Sequence, residues 1–338
     1  MTTHSRIEAE GDLLLIGGGF FGYAREIIAA LERRGRRVVW YEDRPSLDTL
    51  TKSLIRLAPA AVKHKSDAYF ARIVSEVRDL PIKDVLVIKG EAFSCDAIGM
   101  MRSALPDARF TLYFWDSYRN MPVDSPRKVA MFDRVFTFDP EDAKVDSRLT
   151  FRPLFYLPEY ANLPGGNDDI DLLFIGTVHS DRYAVLRRLA ASLPTSLRFD
   201  RVLYFPSPVL FAARRILDPA FWDAKRDEFT FKPLNKFEIQ SLISRTRAVV
   251  DIERTVQCGL TMRAVEVFGA GKKLITTNTK VADTDMFQPS NIAIIDRKQP
   301  KLPEQFLREK YVRPSPELLA RYSLEGWLDD VLGNPMPP

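Results

Sequence analysis

The first half of the chain alternates short apolar runs with longer amphipathic stretches. Short apolar runs bounded by polar or small residues are typical of buried strands, and apolar residues at helical spacing are typical of helices that cover a sheet. The alternation therefore predicts a parallel sheet with helices on both faces. The predicted strands are 13–16, 37–41, 84–88, 109–114 and 134–138, and the predicted helices are 23–34, 68–77 and 95–105.

A segment rich in Pro, Gly and Asn, 153–169, interrupts this pattern and predicts a linker. The same alternation then resumes, and the tail 315–332 predicts one or two short helices with Trp327 and Leu328 on an apolar face. The predicted strands of this half are 170–175, 197–204, 248–252, 273–277 and 291–295, and the predicted helices are 183–192, 236–244 and 261–269.

The expected fold class is therefore α/β, with two doubly wound, Rossmann-like domains that face each other across a cleft. The first domain is predicted over 1–155 and the second over 156–314. A helical tail over 315–338 would be free to pack back on the first domain. Large ligands usually bind between two such domains, at the carboxyl ends of the strands.

Composition narrows the class of protein. Of 338 residues, 46% are hydrophobic and 28% are charged, which excludes a disordered chain. The net charge, 49 − 45 = +4, is too small for the continuous basic surface that nucleic acids require. Two cysteines without metal-type spacing, Cys95 and Cys258, indicate a reducing compartment and no structural zinc.

The polar first eleven residues lack the apolar stretch of a signal peptide, and the apolar runs are too short to cross a bilayer. We therefore expect a cytoplasmic protein, with any membrane contact peripheral and at the inner face of the plasma membrane. The apolar and then basic segment 208–217, followed by Phe221 and Trp222, could lie on an anionic membrane. The favoured interpretation is a helix that faces the core, or an insertion that packs on the second domain.

A glycine-rich loop follows the first predicted strand. The segment 17–22 has the G-x-G-x-x-G spacing, and Glu42 or Asp43 ends the next strand, as in dinucleotide-binding proteins. This pattern alone favours an NAD(P)- or FAD-dependent oxidoreductase. The bulky pair Phe20 and Phe21 inside the turn weakens that interpretation, and no downstream segment has the features of a hydride-transfer site.

Two other interpretations of the glycine loop remain. It is either a tight turn without a ligand or a loop that lines the cleft near a substrate, with Gly18, Gly19 and Phe20 as its cleft residues. Lys89, after another predicted strand, is a separate cleft candidate that would supply positive charge to a bound phosphate or diphosphate.

The most informative segment lies at the predicted start of helix 261–269. The backbone N–H groups near Gly259, Leu260 and Thr261, together with Arg263, can neutralise a diphosphate. Glu266, three residues after Arg263, can accept hydrogen bonds from two ribose hydroxyls. The plain alternative is an ordinary Arg–Glu pair on a solvated helix surface.

Glu266, followed by Gly271 and the strand 273–277, resembles the donor-site segment of GT-B glycosyltransferases, in which a glutamate binds the nucleotide ribose. More specifically, the chain resembles bacterial glycosyltransferases of lipopolysaccharide or capsule biosynthesis, which are similar to spore-maturation-type transferases. The matching segments are 20–23, 88–91, 113–117 with Asn120, 132–133, 138–140, 152–156, 174–177, 179–183 and 257–278.

The resemblance implies a metal-independent, hexosyltransferase-like enzyme that uses a UDP- or GDP-linked sugar and no other cofactor. Retaining GT-B enzymes often carry a second glutamate eight positions before the ribose glutamate, and Cys258 stands there in this chain. Neither retention nor inversion is therefore predicted.

Further candidates follow the first strand of the second domain. Gly176 and Thr177 are expected to face the cleft, and Arg182, at a helix start, could pair with a donor phosphate. His179 is either a structural hydrogen-bonding residue or a group that binds the pyrophosphate or the transferred sugar.

An inverting transfer needs a base that takes the proton of the acceptor hydroxyl. Asp116 and Glu91, each just past a predicted strand of the first domain, are the candidates, and Asp116 is slightly favoured. Both could instead cap a local turn or helix next to Ser117 and Ser94.

The sequence thus predicts a transferase that moves a sugar from a nucleotide donor to a growing cell-surface glycan, whose acceptor could be lipid-linked. The first alternative is the oxidoreductase that would use the loop 17–22. The second is a protein that binds a nucleotide sugar without turning it over.

Overall fold

The computed structural model describes residues 12–19, 22–45, 59–255 and 258–333, with the backbone alone for residues 59–62. The chain forms two compact units. Unit 1 comprises Met1–Leu154 together with Leu324–Pro338, and unit 2 comprises Phe155–Ser323. The tail predicted as one segment is thus divided between the units, since its first helix belongs to unit 2 and its second to unit 1.

Unit 1 is built on a six-stranded sheet in which each described pair of neighbouring strands is parallel. The strand order is β2-β1-β3-β4-β5-β6, so the chain reverses its direction of travel across the sheet between β1 and β3. The strands are β1 (Leu13–Ile16), β2 (Val38–Tyr41), β3 (Asp84–Ile88), β4 (Arg109–Phe114), β5 (Arg134–Thr137) and β6 (Thr150–Phe151).

Helices cover this sheet, and the central strands are mostly apolar because both of their faces are buried. Phe70 stacks on Phe93 with ring centroids 4.4 Å apart, and both rings are buried in the core. The helices of unit 1 are α1 (Tyr23–Arg33), α2 (Pro59–Val77), α3 (Cys95–Ala104), α4 (Ser125–Lys128), α5 (Pro140–Val145) and, from the tail, α12 (Leu324–Leu332).

The tail helix α12 completes the core of unit 1. Its Trp327 is fully buried, with its ring centroid 4.8 Å from that of Tyr113 on β4. At the edge of the same contact, Arg34 pairs with Glu325 at 2.5 Å and with Asp329 at 2.7 Å. The apolar face predicted for Trp327 and Leu328 is confirmed, since both side chains are fully buried.

Unit 2 has a second six-stranded parallel sheet, with the order β12-β11-β10-β7-β8-β9. Its strands are β7 (Ile170–Thr177), β8 (Phe199–Tyr204), β9 (Phe229–Thr230), β10 (Thr246–Asp251), β11 (Lys273–Thr276) and β12 (Ile292–Ile294). Its helices are α6 (Pro158–Ala161), α7 (Arg182–Ser192), α8 (Pro208–Leu217), α9 (Lys236–Ser244), α10 (Met262–Gly269) and α11 (Pro316–Tyr322).

The core of unit 2 joins strand residues such as Phe174 to aromatic rings that lie beyond β8. Tyr183 on α7 stacks on Phe221 with ring centroids 4.8 Å apart, and Phe211 of α8 lies 4.6 Å from Phe229. These rings anchor the segment between β8 and β9 to the sheet, since large aromatic side chains bury much apolar area.

The prediction that α8 faces the core is wrong for most of the helix. Among its residues, all of which the structure describes, Phe211 alone is buried. Ile216 is 78% exposed and Leu217 is 81% exposed. No helix among the described residues is both long and apolar enough to cross a membrane.

The α/β class and the two parallel sheets are confirmed, and the predicted strands agree with the observed ones to within two residues at each end. The helix predicted over 68–77 is longer than expected, since α2 begins at Pro59. The two-residue strands β6 and β9 were not predicted, because so short a segment carries no periodicity.

Candidate functional site

Five charged side chains meet at the carboxyl ends of β2, β3 and β4 in unit 1. Arg44 contacts Asp43 at 2.9 Å and Glu91 at 3.3 Å, and Lys89 contacts Glu91 at 3.2 Å and Asp116 at 2.6 Å. We call these residues the unit 1 cluster. It holds three carboxylates against two cations, so it carries one excess negative charge.

Solvent reaches the members of this cluster unequally. The Asp116 side chain is 27% exposed, whereas that of Glu91 is 1% exposed. A base that takes a proton from a bound hydroxyl must be accessible to it. The structure therefore favours Asp116 as the candidate base and makes Glu91 a buried counter-ion of Lys89 and Arg44.

The backbone N–H groups near these two carboxylates that the capping alternative concerns have other hydrogen-bond partners. Ser94 itself caps α3, since its hydroxyl accepts a hydrogen bond from the Ala97 N–H at 3.1 Å. The Tyr118 N–H, next to Ser117, donates to Asp142 at 2.8 Å rather than to Asp116.

Backbone geometry aims Lys89 into the cluster. Lys89 has a φ of 73° and Gly90 a φ of 66°, so both residues adopt the left-handed conformation. A non-glycine residue rarely adopts this conformation, and such strain is concentrated at functional sites. The Lys128 ammonium donates to the carbonyls of Gly90 and Glu91 at 3.3 and 3.4 Å and thereby secures the turn.

The glycine loop of unit 1 already contains an anion of its own. The Gly19 N–H donates to the Glu42 carboxylate at 3.1 and 3.2 Å, and a Cβ at Gly19 would lie 2.9 Å from the same carboxylate. A dinucleotide pyrophosphate would have to displace this carboxylate from the loop. Gly18 is described beside Gly19, but Phe20 and Phe21 lie outside the described residues.

In unit 2, Arg182 ties two strand ends together. Its Nε donates to the Ile252 carbonyl at 2.6 Å and its Nη1 to the Thr177 carbonyl at 3.0 Å. Gly176 makes room for this side chain, because a Cβ there would lie 3.4 Å from the Arg182 Nη1 and 3.1 Å from Phe174. Arg182 was predicted to pair with a phosphate, but two of its N–H donors are hydrogen-bonded to backbone carbonyls.

A second arginine links the loop after β7 to the loop after β10. Arg297, just beyond β12, contacts Asp181 at 2.8 Å and Glu253 at 2.6 Å, and it donates to the Glu253 carbonyl at 2.7 Å. The hydrogen bonds from Arg297 hold the pKa of Asp181 below its usual range. Since Asp181 is the N-cap of α7, Arg297 sets the start of that helix.

His179 lies among arginines. Burial, followed by the positive charges of Arg182, Arg254 and Arg297, lowers its pKa to about 3. The imidazole is therefore neutral near pH 7 and can accept or donate a hydrogen bond, but it adds no positive charge for a phosphate. Arg254 is exposed and forms no ion pair with any residue in the described part of the chain.

The start of α10 is held from two sides. Thr261 caps the helix by accepting from the Ala264 N–H at 3.1 Å, and its hydroxyl donates to Asp251 at 2.8 Å. The Asn278 side chain donates to the Cys258 and Gly259 carbonyls at 3.2 and 3.3 Å. A helix N-terminus whose preceding residues, 258–261, are held in this way is suited to bind an anion.

Glu266 is 4% exposed and faces polar partners rather than an apolar core. Arg263 contacts its carboxylate at 2.7 Å. Tyr160 of α6 lies against the same pair, and burial, followed by the Glu266 charge, raises the pKa of its hydroxyl. The pair predicted from the spacing exists, but it is enclosed rather than solvated.

Asp251 lies between the start of α10 and Arg182. Asp251 is buried, and its carboxylate accepts a hydrogen bond from Thr261. Burial raises the pKa of this carboxyl, and the charges of Arg182 and Arg263 act against that rise. We call Asp181, Arg182, Asp251, Glu253 and Arg297 the unit 2 cluster. Gly259, Leu260 and Thr261 thus lie at the same sheet edge as Gly176, Thr177 and His179.

Sequence reasoning missed Asp251, Arg254 and Arg297 as parts of this site. All three lie at or just beyond a strand end, which is the position where an open parallel sheet binds ligands. That positional signal was available for each of them. Among the described residues, no group of three or more His, Cys, Asp or Glu side chains is arranged to hold a metal ion.

No protein-family model matches the sequence, and no curated protein is similar enough to count as a relative. Solved structures do match over nearly the full chain. OtsA has a TM-score of 0.65 at 10% identity, covering 97% of this chain and 100% of that chain.

An α,α-trehalose-phosphate synthase (UDP-forming) from Burkholderia xenovorans, in complex with glucose-6-phosphate, has a TM-score of 0.62 at 12% identity, covering 95% and 99% of the two chains. HepE from Anabaena, in complex with UDP and glucose, has a TM-score of 0.59 at 10% identity, covering 96% and 100%. At these identities the likeness shows the fold, which is the GT-B type of α/β fold expected from the sequence.

Proposed function

We propose that the chain is a glycosyltransferase that moves a sugar from a nucleoside diphosphate donor to an acceptor hydroxyl. The observation that carries the proposal is the start of α10, where the fixed Gly259–Thr261 turn and the enclosed Arg263–Glu266 pair share a sheet edge with Arg254. The proposal is also supported by solved structures of the same fold whose ligands are UDP with glucose, or glucose-6-phosphate.

In the proposed donor complex, each part of the diphosphate nucleoside has a partner in unit 2. The ribose hydroxyls donate to Glu266, which then shares its carboxylate between Arg263 and the ribose. The diphosphate lies at the N-terminus of α10, with Arg254 as its exposed cation. Neutral His179 hydrogen-bonds the transferred sugar or the pyrophosphate. UDP is the first nucleotide to test and GDP the second.

In the transfer step, the acceptor oxygen forms a bond to the anomeric carbon while the bond from that carbon to the diphosphate oxygen breaks. For an inverting transfer, Asp116 takes the acceptor proton, and Lys89 holds that carboxylate in place. The charge that develops on the leaving diphosphate is stabilised by the helix N-terminus and Arg254, without a metal ion. Neither the unit 1 cluster nor the unit 2 cluster decides between retention and inversion at the anomeric carbon.

The acceptor class we propose is a growing glycan of the bacterial cell surface, lipopolysaccharide or capsule, carried on a lipid at the cytoplasmic face of the membrane. This part rests on the resemblance of segments that include 88–91, 113–117 and 152–156 to transferases of that class. The unit 1 cluster, with its accessible Asp116, is the proposed acceptor side.

The test is calorimetric titration of UDP and UDP-sugars into the full chain and into Glu266→Gln. The amide keeps the shape of the side chain but loses the charge that Arg263 and the ribose hydroxyls require, so we expect affinity for UDP to fall about tenfold to a hundredfold. Glu304→Gln is the matched control, since Glu304 is exposed in the same unit and has no ion pair with a described residue.

Unchanged UDP and GDP affinity in Glu266→Gln, beside a functional Glu304→Gln, would remove Glu266 from the donor site. Release of free nucleotide together with an extended glycan distinguishes a transferase from a protein that only binds the nucleotide sugar. Stabilisation of the chain by NADH or FAD, with no response to nucleotide sugars, would instead favour the oxidoreductase.

A further inference from the structure

Helix α8 presents its apolar side to solvent. Val209, Leu210, Ala213, Ile216 and Leu217 fall on one face at spacings of three and four residues, and all five are exposed. A surface helix normally turns this face to the core. Here Phe211, on the opposite side, is the residue that reaches the core.

The helix is held firmly in this orientation. Ser207 caps its N-terminus by accepting from the Val209 N–H at 3.1 Å. Arg214 points inward, where it stacks over Phe221 at 5.2 Å and donates to Asp218 at 3.0 Å and to the Ser180 carbonyl at 2.9 Å. The exposed apolar face is therefore a fixed feature of the fold.

Basic and aromatic side chains occur on α8 and in the segment that follows it. Trp222, 62% exposed, follows the 3₁₀ helix Pro219–Phe221 that packs on α8. Arg215, Lys225 and Arg226 are exposed, and none of them forms an ion pair with a residue that the structure describes. The segment 208–226 carries four basic residues against two acidic ones.

These features together fit binding to a lipid surface better than binding to a protein. A stable protein interface takes about 20–30 residues from each partner, whereas this face offers five aliphatic or small side chains and one indole. Aliphatic side chains beside an interfacial tryptophan and unpaired cations are the features of a helix that lies in the headgroup region of an anionic bilayer.

We propose that α8, together with Trp222, is the surface by which this chain docks on an anionic lipid bilayer. The inference deepens the proposed function and rests on it for the lipid-linked acceptor. Because Arg214 hydrogen-bonds Ser180, the docked helix would hold the loop 177–182, with His179 and Arg182, beside the bilayer. The donor would then be bound where a lipid-linked acceptor is presented.

The test is co-sedimentation of the full chain with vesicles of phosphatidylcholine alone, or of phosphatidylcholine and phosphatidylglycerol in equal parts. We expect binding to the anionic vesicles that weakens as salt rises. Ile216→Glu combined with Leu217→Glu should reduce binding more than tenfold, since two exposed aliphatic side chains that would enter the bilayer are lost. Arg215→Glu changes the charge by two units, so at about fivefold for each unit it should reduce binding about 25-fold.

Val145→Glu is the matched control, because Val145 is 84% exposed on α5 in unit 1 and should leave vesicle binding unchanged. Circular dichroism confirms that each variant is folded, as expected for substitutions at exposed positions. The proposal is overturned if the wild-type chain ignores anionic vesicles, or if the double variant binds them as tightly as Val145→Glu does. It is equally overturned if these Glu substitutions abolish a dimer seen by light scattering while vesicles bind no protein.

Calorimetry with UDP separates this inference from the proposed function. If the double Glu variant still binds UDP but no longer binds vesicles, donor binding and membrane docking belong to different surfaces, as proposed. Vesicle binding by a wild-type chain that binds no nucleotide would instead retain the docking surface and remove the donor site.

Discussion

Replacing Gly269 by alanine should destabilise unit 2, although the same change usually stabilises a helix. Gly269 ends α10, and a Cβ built on it lies 2.3, 2.5 and 2.7 Å from three ring atoms of Tyr156. Carbon atoms in contact keep about 3.5–4.0 Å apart, so the ring would have to move by roughly 1 Å or more.

The ring has little freedom to move. Tyr156 is buried, its hydroxyl donates to the Leu319 carbonyl at 2.9 Å, and its N–H donates to the Tyr322 carbonyl at 2.9 Å. Overpacking of this kind costs about 1–3 kcal/mol, against a helix gain of roughly 0.5–1 kcal/mol for Gly to Ala. We expect Gly269→Ala to lower the free energy of unfolding by about 1–2 kcal/mol.

The assay is urea unfolding followed by circular dichroism, with hydrogen exchange of β10 peptides to report on unit 2 separately. Gly99→Ala in α3 is the control, because its Cβ meets Met131 at an ordinary 3.9 Å and should stabilise the chain. In a Tyr156→Ala background the clash partner is gone, so Gly269→Ala should become neutral or stabilising. An equal loss in both backgrounds would refute the steric explanation.

Two further predictions concern single ionisable groups. The pKa of His179, about 3 in the folded chain, lies below its ordinary value of 6.5, so the neutral imidazole contributes stability that is complete above pH 6.5 and is lost as the pH falls towards 3. His179→Gln cannot take up that proton, and its unfolding free energy, measured by urea at pH 7 and pH 4.5, should fall less on acidification than that of the wild type. An identical fall in both proteins would mean that His179 is not desolvated. For Asp116→Asn we expect turnover to drop about 10²–10⁴-fold while UDP affinity, measured by calorimetry, is unchanged; a fully active variant would exclude Asp116 as the base.

The alternation of apolar runs was sufficient to predict the sheets, because a strand buried on both faces has a nearly continuous apolar sequence, as Asp84–Ile88 has after its first residue. Periodicity carried no comparable information on the orientation of α8. Its apolar residues lie on one face, and the pattern is the same whether that face meets the core or the solvent. The anchoring of Arg214 and Phe211, which decides between the two, depends on tertiary contacts.

The candidate site was predicted in part for a similar reason. Strand-end positions and the Arg263–Glu266 spacing identified side chains that the structure does place at sheet edges. The sequence could not reveal that Arg182 is bonded to the backbone or that Glu42 occupies the glycine loop, since both depend on partners distant along the chain. Arg297 was missed because its two carboxylates come from two other loops.

Unit 1 is assembled from two stretches of chain that the whole of unit 2 separates. On the ribosome, the ring of Tyr113 emerges long before Trp327, which covers it in the finished protein. Unit 1 therefore stays incompletely folded, with part of its core exposed to solvent, until unit 2 has been synthesised. During that interval the nascent chain exposes an aromatic surface that a chaperone would recognise, and loss of the last helix would harm the folding of the unit that is made first.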